Sequence, residues 1–265
     1  MTNRMLAAAI ALLAMIPSRA IADECAATHS IFAPLPDACL APIDTDRPHQ
    51  TDTPHVVPAG HTQVESALAA AQLGGAVGAP PGARAPHLLL FENAYKFGLV
   101  SDVDLQLIVK HAEYSFASDR LAPPGPLVVR AKFAVVHEDG AIPAITIVPA
   151  FFAPASRAQP TRGGLIVFWG WELPWDFELE MNAGALASTS PKPPVAIVLA
   201  AALTRHVAPR LRMFADVYAT GYDVQLGTGL LFALARDVQL DAGTYVGVNG
   251  DVAAVTPFVG ISARR

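Results

Sequence analysis

From about residue 61 to the C-terminus the chain alternates apolar and polar positions in one short stretch after another. Residues 103–110 show it most plainly. Val103, Leu105, Leu107 and Val109 fall on one side of an extended strand, and Asp104, Gln106 and Lys110 on the other. A soluble sheet would bury the apolar side in a core. A membrane barrel turns that side toward lipid and keeps the polar side in its lumen.

About twelve such stretches are predicted, at 61–73, 86–97, 103–114, 127–137, 142–152, 163–172, 177–187, 194–203, 211–220, 224–234, 238–248 and 255–264. Connections after even-numbered stretches are mostly short, and Asp139-Gly140 is a strong hairpin signal. The other connections are mostly longer. An even strand number, short turns at one end and long loops at the other are the pattern of a bacterial outer-membrane barrel with both chain ends in the periplasm. The fold expected is therefore all-β, a transmembrane antiparallel β-barrel of about 12 strands.

The same alternation selects an inner face. Gln63 and Glu65 oppose Val64 and Leu68. Glu92 and Lys96 oppose Leu89, Phe91 and Tyr95, and Arg130 and Lys132 oppose Val129, Ala131, Phe133 and Val135. Glu178, Glu180 and Asn182 oppose Phe177, Leu179 and Met181, while Arg212 and Asp216 share a face. With a tight turn at 98–102, Lys96 would sit nearly opposite Asp104, Glu92 diagonal to Lys110, and Lys110 close to Arg130. The lumen or solute path is thus assigned to Glu65, Glu92, Lys96, Asp104, Gln106, Lys110, Arg130, Lys132, Glu178, Glu180, Arg212, Asp216 and Asp241. A hydrated network that only holds the wall together is the plainer reading of the same residues. The fifth and eighth stretches are apolar on both faces, as core strands of a soluble sandwich would be.

Composition bears on the choice of solvent. The chain is 52% hydrophobic and 15% charged, with a formal net charge of −5. Residues 1–22 have the form of a secretory signal: Arg4, an apolar run from Met5 to Ile16, and a small-x-small site at Ala20-Ile21-Ala22. Glu24 stands where a lipoprotein signal needs a small residue before Cys25. No later apolar run approaches the roughly twenty residues of a membrane helix. The expected organisation is a signal peptide at 1–22, an irregular periplasmic N-terminal segment at 23–60, rich in Pro, Thr, Asp and His, and the barrel at 61–265. Cys25 and Cys39 should form a disulfide in an oxidising compartment.

Other chemistries find little support. An acidic chain without a basic cluster gives no footing for nucleic acid. The eight histidines show no HExxH or short-range pair, so no metal and no cofactor is expected. No G-x-S-x-G is present, and His111 with Ser115 lacks an acid to complete a triad, so no catalytic residue is assigned and the protein is not expected to be an enzyme. The Gly-rich run at 74–86 has no strand–GxGxxG–helix context and reads as a loop. Trp169, Trp171 and Trp175 cluster at one hairpin end, as an interfacial aromatic girdle would, or as the packing of a sandwich core.

Several segments resemble the MetA-pathway of phenol degradation family. Asp46-Arg47-Pro48-His49-Gln50-Thr51-Asp52 and the run from Val57 to Glu65 are similar to its opening D-R-P-D and V-P-x-G-x-x-Q-x-E elements. Tyr95 to Asp102 resembles its Y-G-L-T-D-type turn, Gln239 to Gly243 its Q-L-D-x-G element, and Pro257 to Ser262 its final strand. His49 departs from the family's Asp, and Asp216 from a common Glu. The chain ends Ala263-Arg264-Arg265, where such barrels commonly end in an aromatic residue. The resemblance implies an outer-membrane barrel, in some members linked to uptake of aromatic compounds, and carries no catalytic residues. The function expected is a passive channel or uptake protein in the outer membrane of a Gram-negative bacterium. Its expected partners are outer-membrane lipid, a small solute and the barrel-assembly machinery. A non-conducting structural or binding barrel and a soluble periplasmic β-protein remain as alternatives.

Overall fold

The computed structural model of the protein describes residues 24–75, 86–109, 112–116, 118–122, 125–156, 159–190, 194–249 and 253–265. The signal-like residues 1–22, most of the loop at 74–86, Lys110 and His111 lie outside the described residues. No helix among the described residues is long and apolar enough to cross a membrane. The spanning elements are strands.

In chain order the strands are β1 (Thr62–Gly75), β2 (His87–Val100), β3 (Val103–Val109), β4 (Ala112–Ser115), β5 (Arg120–Ala122), β6 (Leu127–Val136), β7 (Ala144–Ala153), β8 (Arg162–Leu173), β9 (Phe177–Ser188), β10 (Val195–Ala208), β11 (Leu211–Thr220), β12 (Asp223–Ala235), β13 (Val238–Asn249) and β14 (Ala253–Arg264). β3 and β4 pair with β2 in one register, Asn93 opposite Val109 and Leu90 opposite Ala112, so they form a single wall strand. β5 folds back only on β4. All pairings are antiparallel, and β1 pairs with β14, closing the sheet. The result is a twelve-strand barrel, as the alternation predicts. Closure through β1 and β14 leaves the wall without a free end strand, which is what an extended chain needs in hydrocarbon; among the described residues β5 keeps one unpaired side.

The faces are inverted relative to a soluble protein. Large apolar side chains such as Tyr95, Phe133, Phe151, Leu165, Leu199 and Val217 are exposed on the outside. The most buried side chains include Glu65, Lys96, Asp104, Gln106 and Lys132. This arrangement is stable when lipid covers the outer face. It excludes the soluble sandwich. The two doubly apolar strands, β7 and β10, have a different cause. Their inward residues, Val148 and Ala150 on β7 and Val198, Ala200 and Ala202 on β10, belong to an apolar sector of the inner wall. Val148, Ile166, Phe168 and Leu186 pack together there, and Phe214, Leu231 and Phe258 form a second group with Ala70 and Tyr245.

One inner-face assignment needs correction. Leu89 does not share an outer face with Phe91 and Tyr95; it is buried and lines an internal cavity. Phe91 has φ +57°, and it and Leu68 form no ladder pair between Ala67–Glu92 and Ala69–Leu90. Passing through this dislocation, the inner face moves from Glu92 to Leu89 and from Ala67 to Ala70. A left-handed residue inside a strand breaks the two-residue period.

The segment before β1 is irregular, and part of it lies inside the barrel. Residues 24–43 sit at the end that carries the short turns. There Cys25 and Cys39 are joined in a disulfide, with the short 3-10 helix Asp37–Cys39 beside it. This part docks on the β2–β3 turn: Ile31 N–H donates to the Leu99 carbonyl at 2.9 Å and Ser101 N–H to that of His29 at 3.1 Å. Residues 44–57 then run through the lumen. The last residues of the chain close the seam at the same end. Arg265 and Thr62 exchange backbone hydrogen bonds of 2.8 Å, and Arg264 Nε donates to Asp237 Oδ1 at 3.0 Å.

Candidate functional site: the lumen and the segment that crosses it

The wall meets residues 44–57 with charge. The Asp46 carboxylate is the centre of it. Its Oδ2 lies 2.5 Å from Lys96 Nζ and 3.1 Å from an Arg130 guanidinium nitrogen, and its Oδ1 lies 2.6 Å from Lys132 Nζ. Lys96 also pairs with Glu65. Arg130 grips Asp52 with two bonds of 2.8 Å and donates to Gln106 through Nε at 2.6 Å. Buried charge is costly unless it is paired and hydrogen-bonded. Here each cation has an anion from the segment, the wall or both.

The wall also reads the segment's backbone. Glu65 accepts from the N–H groups of Asp46 and Arg47 at 3.1 and 3.2 Å. Asp216 accepts from Gln50 at 2.7 Å and Asp104 from Val57 at 3.0 Å. Asn182 both accepts from the Asp52 N–H and donates to its carbonyl. Lys132 donates to the carbonyls of Thr53 and His55 at 2.8 and 3.0 Å. Thr146 donates to the Pro54 carbonyl, and Tyr245 to that of Pro48. A segment with Pro48 and Pro54 cannot form regular structure, so its backbone groups need partners elsewhere. The inward polar residues supply them.

The structure thus gathers most of the residues assigned to the inner face. Glu65, Lys96, Asp104, Gln106, Arg130 and Lys132 surround the segment on the side of β1, β2, β3 and β6. Asp241 pairs with Arg47 at 2.9 Å, Glu180 with the His49 ring at 3.1 Å, and Asp216 holds Gln50. Glu178 and Arg212 meet at 3.5 Å nearer the short-turn end. Glu92 lines the cavity at the other end, and Lys110 lies outside the described residues. The cross-strand ladder differs from the one expected. Lys96 is opposite Gln106, not Asp104, and Asp104 faces Gly98 and Lys132. The tight turn shifts register between Gly98 and Val100. Asp46, His49 and Asp52 were missed because alternation carries no information about a segment without a period. The density of Asp, Arg, Thr and His at 44–55 was the available signal.

Two cavities flank the segment. One, of about 420 Å³, opens toward the end of the long loops. Arg130, Glu92, Gln225 and Asn182 line it together with the apolar Phe152, Ile166 and Phe168. The other, of about 520 Å³, lies toward the short turns, among Asp44, Glu178, Arg212 and Lys132. Asp46 and Lys96 border both. Trp169 and Trp171 are half-buried on the outer face of β8, and Trp175 is exposed in the β8–β9 turn. Among the described residues no group of His, Cys, Asp and Glu is arranged to hold a metal ion.

Comparison with known proteins places this geometry. A family model described as "Putative MetA-pathway of phenol degradation" matches residues 45–264. Among solved structures, a COG4313 outer membrane channel from Pseudomonas putida F1 superposes with a TM-score of 0.59 at 11% identity, covering 79% of this chain and 97% of that one. The KdgM porin superposes with a TM-score of 0.51 at 9% identity, covering 76% and 98%. The same porin has been solved in complex with disordered oligogalacturonate; that structure gives a TM-score of 0.50 at 8% identity, covering 77% and 98%. At such identities the likeness is one of fold. No curated protein matches the chain.

Proposed function

The chain belongs to the MetA-pathway of phenol degradation family, and on that premise we propose that it is a passive outer-membrane channel or uptake protein for small solutes, aromatic ones among them. The observation that carries this reading is the pair of cavities of about 420 and 520 Å³ on either side of residues 44–57 and the wall side chains that hold them. A barrel whose lumen is blocked by a wall strand cannot open without unfolding. A barrel blocked by an irregular segment can. Solute would pass when the segment shifts, and the inward residues from Glu65 to Asp241 would then line the path. Delivery to the membrane would depend on the barrel-assembly machinery, with both chain ends on the periplasmic side.

A second reading is a non-conducting structural or binding barrel. The density of ion pairs on the segment favours it. Planar-bilayer recording separates the two. Lys132→Met removes a buried partner of Asp46 and two bonds to segment carbonyls. Asp46 keeps Lys96 and Arg130 in the variant, so the loss is that of hydrogen bonds to a charged group, about 1.5–3 kcal/mol. That would favour segment release by roughly 10- to 10²-fold. The wild-type barrel should conduct weakly and the variant far more often. A folded variant that shows neither conductance nor solute flux ends the channel reading.

A further inference from the structure

We propose that Lys96, Arg130 and Lys132 form a binding site for the carboxylate of an organic acid, which Asp46 occupies as an internal substitute. The three cations come from two strands, β2 and β6, and converge on one carboxylate at 2.5–3.1 Å. That carboxylate is not part of the wall. Among the described residues, the wall's own anions at this cluster are Glu65, bonded to Lys96, and Asp104, bonded to Gln106. Two wall anions against three wall cations leave one positive charge in excess. A buried excess charge demands a counter-ion. While the segment is in place Asp46 supplies it, bonded to all three cations, and Asp52 adds a second carboxylate on Arg130 alone. Once the segment moves, a solute anion is the natural replacement.

Position and shape argue the same way. Asp46 and Lys96 border both cavities, Arg130 borders the one toward the long loops, and Lys132 the one toward the short turns. The cluster is therefore reachable from either side. The Phe168 ring lies 6.0 Å from Arg130 and 5.5 Å from Lys132, and Ile166 and Val148 pack against it. An acid with an aromatic or apolar body would set its carboxylate on the cations and its body on this shelf. Such a site serves the solute path proposed above and rests on that reading.

Chemical rescue tests the site without requiring flux. Asp46→Ala, folded in detergent, should melt at a lower temperature than the wild type. Benzoate should restore the melting temperature; benzamide at matched ionic strength should not. Adding Lys132→Met to the same variant should abolish the rescue. A folded Asp46→Ala that ignores benzoate, or that responds equally to benzamide, overturns the proposal. Should Asp46→Ala not fold, Thr51→Cys in the otherwise native chain decides. Thr51 is fully buried on the segment, its hydroxyl is without a partner, and both native cysteines are in the disulfide. Thiol labelling several-fold faster in benzoate than in benzamide supports the site, and equal rates overturn it. Rescue without conductance would sink only the channel reading. Conductance without rescue would sink only the carboxylate site.

Discussion

Arginine at position 107 asks directly which solvent the outer wall meets. Leu107 lies on β3, between the fully buried Gln106 and the partly buried Ile108, with its side chain outward. It stands four residues from Val103, where the short turn ends. At roughly 3.4 Å per residue and a strand tilt of roughly 40°, this is roughly 10 Å along the barrel axis. The apolar band of such barrels is about 25 Å tall, so Leu107 sits near its middle. A guanidinium there should cost about 2–4 kcal/mol. The control must point inward without disturbing the charge cluster. Gln106→Arg, which alternation alone would rate as cheap, is not suitable. Gln106 is fully buried, opposite both Lys96 and Arg130, and accepts a bond from Arg130. A third cation there would be opposed by two others. Ala67 is better placed, because it lines the cavity of about 420 Å³ and faces Glu92 across the ladder. Ala67→Arg should cost less than about 1 kcal/mol. Reversible urea unfolding from lipid vesicles, followed through Trp169 and Trp171 on the outer face, gives both values. Equal costs, or a larger cost at Ala67, would mean that the outer face does not meet hydrocarbon.

Two further outcomes are expected. Cysteines at Ser118 and Ser156, in the long-loop end, should react with an impermeant thiol reagent on whole cells, whereas cysteines at Ser101 and Asp139 should not; the opposite pattern would invert the orientation. At the short-turn end, against the cost of burial, hydrogen bonds from Arg264 and Arg236 hold the Asp237 carboxyl below its ordinary range. A depressed folded-state value contributes stability above the unfolded value of about 3.9 and loses it as pH falls through the folded one. Asp237→Asn should therefore destabilise the barrel at neutral pH, with the gap from the wild type narrowing below about pH 4. A gap independent of pH would show that the carboxylate's charge does not hold the C-terminal seam.

The wall was legible in the sequence because a barrel strand carries its own period. Side chains on one strand alternate between lipid and lumen whatever the neighbouring strands do, so Leu105 and Gln106 declare their faces locally. The same rule yielded twelve strands, the rhythm of the turns and nearly all of the inward charges. It misread Leu89, because the left-handed backbone at Phe91 resets the period and nothing in the local sequence announces it. It read β7 and β10 as ambiguous, because inward Val148 and Val198 belong to an apolar sector that exists only once distant strands share a lumen. The cluster at Asp46 was beyond it altogether. Lys96 and Lys132 could be placed inside by alternation, but their partner is 50 and 86 residues away on a segment without a period. An irregular chain has no preferred face. Its position is set by which buried donors, acceptors and charges it can satisfy, and those are assembled only when β1 closes on β14.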